Sequence, residues 1–566
     1  MWHGSAVYAV LALIAGAGTF LWALLRHRLL LYGDATAHLG IARRMVDSAT
    51  PGLSQWGAPW LPLPHLLDAP LVIFTPLWRT GVAGSVPALL ALALGTWFLH
   101  RIVRRTWGAG AAAWAALFYG LNPSLLYLAA VPMTESVYLA AFLGLVDQCS
   151  EFSVQPRLGL AWRAGAWGLA ATLCRYDGWF VLPFALLALW LAAARCHALR
   201  PFAAAWRFCL LAGAGPVFWL GYNWYYLKDP LAFLRGPNSA QQIQAGQLYP
   251  GDHALATAAL YYLKTVVLTC GVPLAVVALL GLWVWWRRRR APAAAATAVW
   301  LLLLPLPWYL WAMWSGNVPI FVPQYWPHGY YNLRYGVQLL PAVAAWSGLA
   351  VAAVVAGVRR VTLPHARAGI AIGLAVLCGG AYLAMLGGEG PVAYAEAVHN
   401  APDRLAMEHA LAAALAPWRP GQRILMYYGT YPGALADDGI PVHDVIQESN
   451  YRLWTSALAA PHAYAAWVVV ERPGPVAEHI NRGDLDRYYH RVDLLQVPHQ
   501  PEISVYRRNA PLHRGAGIAP AAPWTTSVPL PGPGAAQRRL GAPGPPSRRE
   551  HKRDARHSRA GARAYL

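Results

Sequence analysis

Charged side chains are what this sequence has least of. Only 12% of its 566 residues are Asp, Glu, Lys or Arg, while 57% are hydrophobic. A soluble protein carries about 25% charged residues. That scarcity, with a mean hydropathy of +0.34, excludes a set of ordinary soluble domains, although the length would allow several. Lysine is nearly missing, standing only at Lys228, Lys264 and Lys552, so the net charge of +20 comes almost wholly from arginine. Nucleic-acid binding is one use of such an excess. Here the arginines sit in short clusters between apolar runs, the pattern of cytoplasmic loop anchors, and no nucleic acid is expected as a partner. The six cysteines, Cys149, Cys174, Cys196, Cys209, Cys270 and Cys378, form no CxxC pair. Their spacing implies neither a disulfide framework nor a zinc site, and they read as small buried hydrophobes. No Walker loop, GxSxG elbow or HExxH helix occurs, so nothing points to nucleotide triphosphates. His38, His65 and His328 stand apart, without the close spacing of a zinc site.

What is present is a series of apolar runs near the roughly 20 residues that cross a bilayer. The first, Ala6 to Leu25, is long for a signal peptide and lacks a small-residue cleavage site, so it reads as a retained helix. Further runs at 83–100, 107–127, 131–149, 164–180, 181–196, 203–224, 265–286, 292–312, 336–357 and 368–388 bring the expected number to about eleven. With the N-terminus inside, four arginine clusters fall on the cytoplasmic side: Arg101/Arg104/Arg105, Arg195/Arg200, Arg287 to Arg290, and Arg359/Arg360. Arg26 and Arg28 are the exception. The expected fold is mainly α: a polytopic transmembrane bundle over 1–388, followed by a small extracytoplasmic α/β domain over 389–510. Arg423 to Tyr427 and Trp467 to Val470 are strand-like there, and 394–416 is helical in character. Residues 511–566, rich in Pro, Gly and Arg, have too few large apolar groups for a core and are expected to be disordered.

Ionisable groups near helix ends in such a protein are costly and therefore functional candidates. Four segments carry them, all on the outer side of this topology. In Tyr32-Gly33-Asp34-Ala35-Thr36-Ala37-His38, Asp34 and His38 share one helical face. Asp34 suits a general base or a metal partner, and it also suits helix capping. Glu135, in Pro132-Met133-Thr134-Glu135, opens a returning apolar helix. There it either meets a metal or polar substrate or simply answers the helix dipole. Arg175-Tyr176-Asp177-Gly178-Trp179 interrupts an apolar stretch, offering a phosphate fork in Arg175 or a self-neutralised turn with Asp177. Asn332-Leu333-Arg334-Tyr335 follows a loop holding Tyr325, Trp326, His328, Tyr330 and Tyr331. That pattern fits an interfacial aromatic belt with a snorkelling arginine, or an arginine on a lipid phosphate beside a sugar site that Tyr331 would help to line. Lys264 is a further phosphate candidate.

These residues together resemble the membrane-embedded glycosyltransferases of the GT-C superfamily. They are most similar to the branch of protein O-mannosyltransferases and aminoarabinose transferases. The resemblance rests on Asp34 in the first outer loop, the Asn122-Pro123 and Pro132-Met133-Thr134-Glu135 hairpin, Arg175 to Trp179, and Asn332 to Tyr335. It covers about residues 1–390. It implies inverting transfer from a polyprenyl-phosphate sugar to an extracytoplasmic acceptor of unspecified kind, whether glycan, lipid or protein. Asp34 would be the base or metal partner and Glu135 would assist it. Arg334 and Arg175 would stabilise the leaving lipid phosphate, and the residues themselves offer His38, Asp177, Lys264 and Tyr331 as further substrate-binding candidates. A divalent ion such as Mg or Mn would then rest on Asp34 and Glu135, but Asp34 is followed by Ala35, where many relatives carry a second acid. A transporter or flippase of lipid-linked saccharides is the alternative. The setting implied is a bacterial plasma membrane with the active site outside.

Overall fold

The computed structural model describes residues 3–510 apart from 58, 197–199, 237–238, 240–241, 243–247, 288–295, 359–368, 370–372, 374–375 and 378. Among these, six helices are long and apolar enough to cross a membrane, or seven if one bent pair counts as a single span. About eleven spans are expected from the sequence, and several of those apolar runs are divided between helices. The run at 107–127 divides into helices Ala109–Gly120 and Pro123–Ala130. Pro123 lacks an N–H, and the Asn122 side chain accepts from the Leu125 N–H at 3.1 Å, starting a new helix there. The run at 265–286 belongs to helices Leu255–Cys270 and Val272–Arg287, which meet at 108°. Gly271, at φ +82°, makes that break in a conformation that side chains with a Cβ resist. Before Pro305 the chain tightens into a short 3-10 turn over Trp300–Leu303. The tail at 511–566, Cys378, Arg288 to Arg290, Arg359, Arg360 and much of the last expected span lie outside the described residues.

The bundle core is built from small side chains that let helices approach closely. Ala115, Ala129, Ala161, Ala185 and Ala345 are fully buried in one cluster with Phe142, Tyr262 and Leu340. The Glu135–Val154 helix lies at its centre, buried over most of its length. At its far end Asp147 and Glu151 hold Arg101 and Arg105.

Beyond the bundle, a five-stranded sheet runs in the order β2-β1-β3-β5-β4. Its strands are β1 (Ile424–Leu425), β2 (Val445–Ile446), β3 (Trp467–Arg472), β4 (Tyr489–Leu495) and β5 (Glu502–Arg508). β1 pairs in parallel with β2 and β3, and β5 runs antiparallel to β3 and β4. The β-branched run Val468-Val469-Val470 forms the buried centre of β3, and alternate residues enter different cores. Trp467 and Val469 face a cluster with Met426, Ile503 and Val505, whereas Val468 and Val470 face one with Leu425 and Ile446. The first cluster also contains Leu39, Val72, Trp78 and Ala83. The sheet therefore shares its core with the segment after the first helix, and this packing carries helix Gly33–Val46 between the bundle and the sheet.

Candidate functional site

Asp34 lies in the first turn of helix Gly33–Val46, and Glu135 opens helix Glu135–Val154. Arg175 caps the end of helix Leu158–Cys174, Asp177 begins the next helix, and Arg334 lies in the tight turn Leu333–Leu339. Each therefore stands at a helix end, where a charge is best tolerated next to apolar spans.

Arg334 is the hub. Its Nε donates to Glu135 Oε1 at 3.2 Å and its Nη1 to Glu396 Oε1 at 3.0 Å, while Nη2 donates to Asp34 Oδ2. The three carboxylates differ in access. The Glu135 and Glu396 side chains are each 1% exposed, and that of Asp34 is 39% exposed. Rings flank the guanidinium: Tyr32 lies 5.0 Å and Tyr335 5.1 Å from it. Arg175 sits on the same Tyr335 ring at 4.8 Å. It donates to Thr134 Oγ1 and to Tyr309 Oη, both at 3.2 Å, and stands 3.5 Å from Glu135 and from Asp177. Tyr309 in turn donates to Asp177 Oδ2 at 2.8 Å. Four carboxylates thus share two arginines in one contiguous network. The Glu135 Oε2 atom is buried without a hydrogen-bond partner.

The sequence candidates divide accordingly. Asp34, Glu135, Arg175, Asp177 and Arg334 come together. His38 is buried one turn beyond Asp34 and pairs through Nδ1 with His65 Nε2 at 3.0 Å. Burial outweighs the nearby Asp34 and pushes the His38 imidazole down to about 4, so it stays neutral. Lys264 lies inside helix Leu255–Cys270 and makes none of the ion pairs of the cluster. Tyr331 forms an isolated backbone bridge with Phe321, and their rings lie 5.4 Å apart. Glu396 and Tyr309 complete the network from outside the quoted segments, and Tyr32 and Thr134 from within them, where neither stood out as a candidate. Glu396 is a lone acid in an alanine-rich helix, Val392–Asn400, which no motif distinguishes. Burial raises its pKa above the usual carboxylate range, and Arg334 opposes that shift.

Among the described residues no group of three or more His, Cys, Asp or Glu side chains could hold a metal ion. Asp34 and Glu135, the pair considered for one, are bridged by the Arg334 guanidinium. As arranged, this donor set fits an arginine rather than a divalent ion.

A polytopic helical bundle capped by a mixed sheet, with a buried arginine–carboxylate network where the two meet, defines the class. No family model and no curated protein matches the chain. Solved structures do. The aminoarabinose transferase ArnT from Cupriavidus metallidurans, bound to undecaprenyl phosphate, aligns over 88% of this chain and 97% of its own with a TM-score of 0.54 at 15% identity. Its apo form aligns over 87% and 98% with a TM-score of 0.51 at 15% identity. An oligosaccharyltransferase from Archaeoglobus fulgidus in the apo form covers 86% of this chain and 73% of its own, with a TM-score of 0.49 at 12% identity, a looser likeness than that of ArnT. The chain shares its overall fold with these ArnT structures.

Proposed function

We propose that this protein is a membrane glycosyltransferase that moves a sugar from a polyprenyl-phosphate donor to an extracytoplasmic acceptor. The observation that carries the reading is the convergence of Asp34, Glu135, Arg175 and Arg334, drawn from four helix ends, into one network with a single solvent-open carboxylate. The ArnT structure with undecaprenyl phosphate supports a lipid phosphate as the donor's leaving group.

In this mechanism an acceptor hydroxyl attacks the anomeric carbon, and Asp34 takes its proton. The bond to the phosphate oxygen breaks with its electron pair, leaving polyprenyl phosphate and inverting the sugar. Charge grows on that oxygen as the bond breaks, and Arg334 and Arg175 offset it. Fixed donors of this kind contribute roughly 10²–10³ in rate each. Glu135, fully buried against both arginines, holds them in register, and Asp177 orients Arg175 through Tyr309.

One helix supports an extracytoplasmic site. Glu135 lies at its start, and Glu151, with Arg101 and Arg105, lies roughly 24 Å further along at 1.5 Å per residue. Arginine clusters favour the cytoplasmic side, which supports the opposite surface for the network. A lipid-linked donor suits an enzyme working away from cytoplasmic nucleotide sugars. A transporter would concentrate its polar groups at helix breaks near the bilayer centre. The break at Gly271 is flanked by Thr269, Cys270, Val272 and Pro273, with no charge.

The test is a proteoliposome assay with a panel of polyprenyl-phosphate sugars. Stoichiometric appearance of free polyprenyl phosphate and a glycosylated acceptor is expected. Movement of the intact lipid-linked sugar across the bilayer without cleavage would replace this reading with the transporter.

A further inference from the structure

Glu396 stands outside every sequence motif, yet the Asn332–Arg334 segment is folded around it. Its Oε1 accepts from the Asn332 N–H at 3.0 Å and from Arg334 Nη1 at 3.0 Å. Its Oε2 accepts from the Arg334 N–H at 2.8 Å. One carboxylate therefore fixes both the backbone and the head of the same arginine. Asn332 makes this possible. At φ +57° it takes the left-handed turn that asparagine tolerates, and its side chain donates to the Pro319 carbonyl at 2.8 Å.

The same helix holds Arg334 by a second route. Tyr32 donates to the Ala393 carbonyl at 2.6 Å, and the Tyr32 ring flanks the guanidinium. A guanidinium has five N–H donors in a rigid plane, so fixing Nη1 and Nε fixes where the remaining N–H groups point. Glu135 and Glu396 are closed to water, whereas Asp34 is open. An incoming phosphate can therefore compete for Nη2 while the two buried carboxylates keep their hold.

We propose that Glu396 is a positioning residue for the donor phosphate, which makes helix Val392–Asn400 of the extramembrane portion a working part of the membrane site. The proposal rests on the glycosyltransferase reading and names the residue that aims its phosphate grip.

The experiment uses the purified full chain and two lipids, undecaprenyl phosphate and the uncharged undecaprenol. Parent protein is expected to bind the phosphate more tightly than the alcohol. Glu396→Gln keeps the shape but turns an acceptor into a donor facing the Arg334 N–H. It should weaken phosphate binding about tenfold and leave alcohol binding unchanged. Equal loss for both lipids would mean a merely structural role and overturn the proposal, as would unchanged phosphate binding. A parent with no preference for the phosphate would instead overturn the donor assignment and this inference with it. Should the variant not fold, hydrogen exchange on the parent decides. Undecaprenyl phosphate should slow exchange in 392–400 together with 332–336, and protection of 332–336 alone would overturn the proposal.

Discussion

Arg334 donates to Asp34 across 300 positions of sequence, and of the three carboxylates that meet this arginine Asp34 alone is open to solvent. The proposed base is thus paired with the proposed phosphate grip. In the proposed mechanism a donor phosphate that engages Arg334 would free Asp34, and donor binding would then precede activation of the acceptor.

Asp34→Asn should therefore separate two properties. Transfer falls by about 10²–10⁴, the usual contribution of a placed general base. Undecaprenyl phosphate binds at least as tightly as to the parent, because Arg334 has lost a competing anion. Binding isotherms beside turnover numbers check this, and weakened binding would show that Asp34 holds Arg334 in place for the lipid phosphate.

Arg334→Lys keeps the charge but not the planar fork. An ammonium cannot span Glu135, Glu396 and Asp34 while presenting two parallel donors to a phosphate. Donor KM should rise by about tenfold or more. Arg334→Gln goes further: Glu135 keeps Arg175, but Glu396 is left buried without its cation, which costs about 3–5 kcal/mol of stability. Thermal unfolding in detergent distinguishes the two variants.

The junction between bundle and sheet rests on a second buried pair. Arg44 donates through Nη1 to Glu448 Oε1 at 3.1 Å and through Nη2 to the Gln55 carbonyl at 2.9 Å. Glu448 also accepts from the Tyr428 N–H at 2.9 Å. Glu448→Ala leaves Arg44 uncompensated and should cost about 3 kcal/mol. Limited proteolysis should cut near 447–451 sooner than in the parent, with helix content measured by circular dichroism little changed.

His38 carries a pH dependence of definite sign. Burial lowers its folded value to about 4 from 6.5, so below pH 6.5 the unfolded chain takes up a proton that the folded chain refuses. The stability His38 contributes is complete above 6.5 and is lost as pH falls toward 4, with a slope of up to about 1.4 kcal/mol per pH unit. Measured as the difference in unfolding free energy between parent and His38→Gln, this should be flat from about pH 7 to 8 and decline below about 6.5. A flat difference down to about pH 4.5 would show the imidazole already charged in the fold.

Much of this organisation was legible in the sequence. Hydropathy marked the membrane bundle, and the Val468 to Val470 run marked the central strand. The scarcity of acids made Asp34, Glu135 and Asp177 conspicuous. Span continuity was not legible, because Asn122-Pro123 and Gly271 interrupt helices without interrupting hydropathy. Glu396 was hidden for another reason. Its role comes from packing Val392–Asn400 onto the 332–334 turn, a tertiary contact with no periodicity to betray it. Lys264 looked eligible through charge and position alone, and neither determines which face of a helix meets the network.

The most direct measurement is sugar transfer from a polyprenyl-phosphate donor by purified parent and Asp34→Asn proteins of matched folding. Turnover by the parent is expected, with a loss of about 10²-fold or more in the variant. Equal turnover by the two would contradict Asp34 as the base.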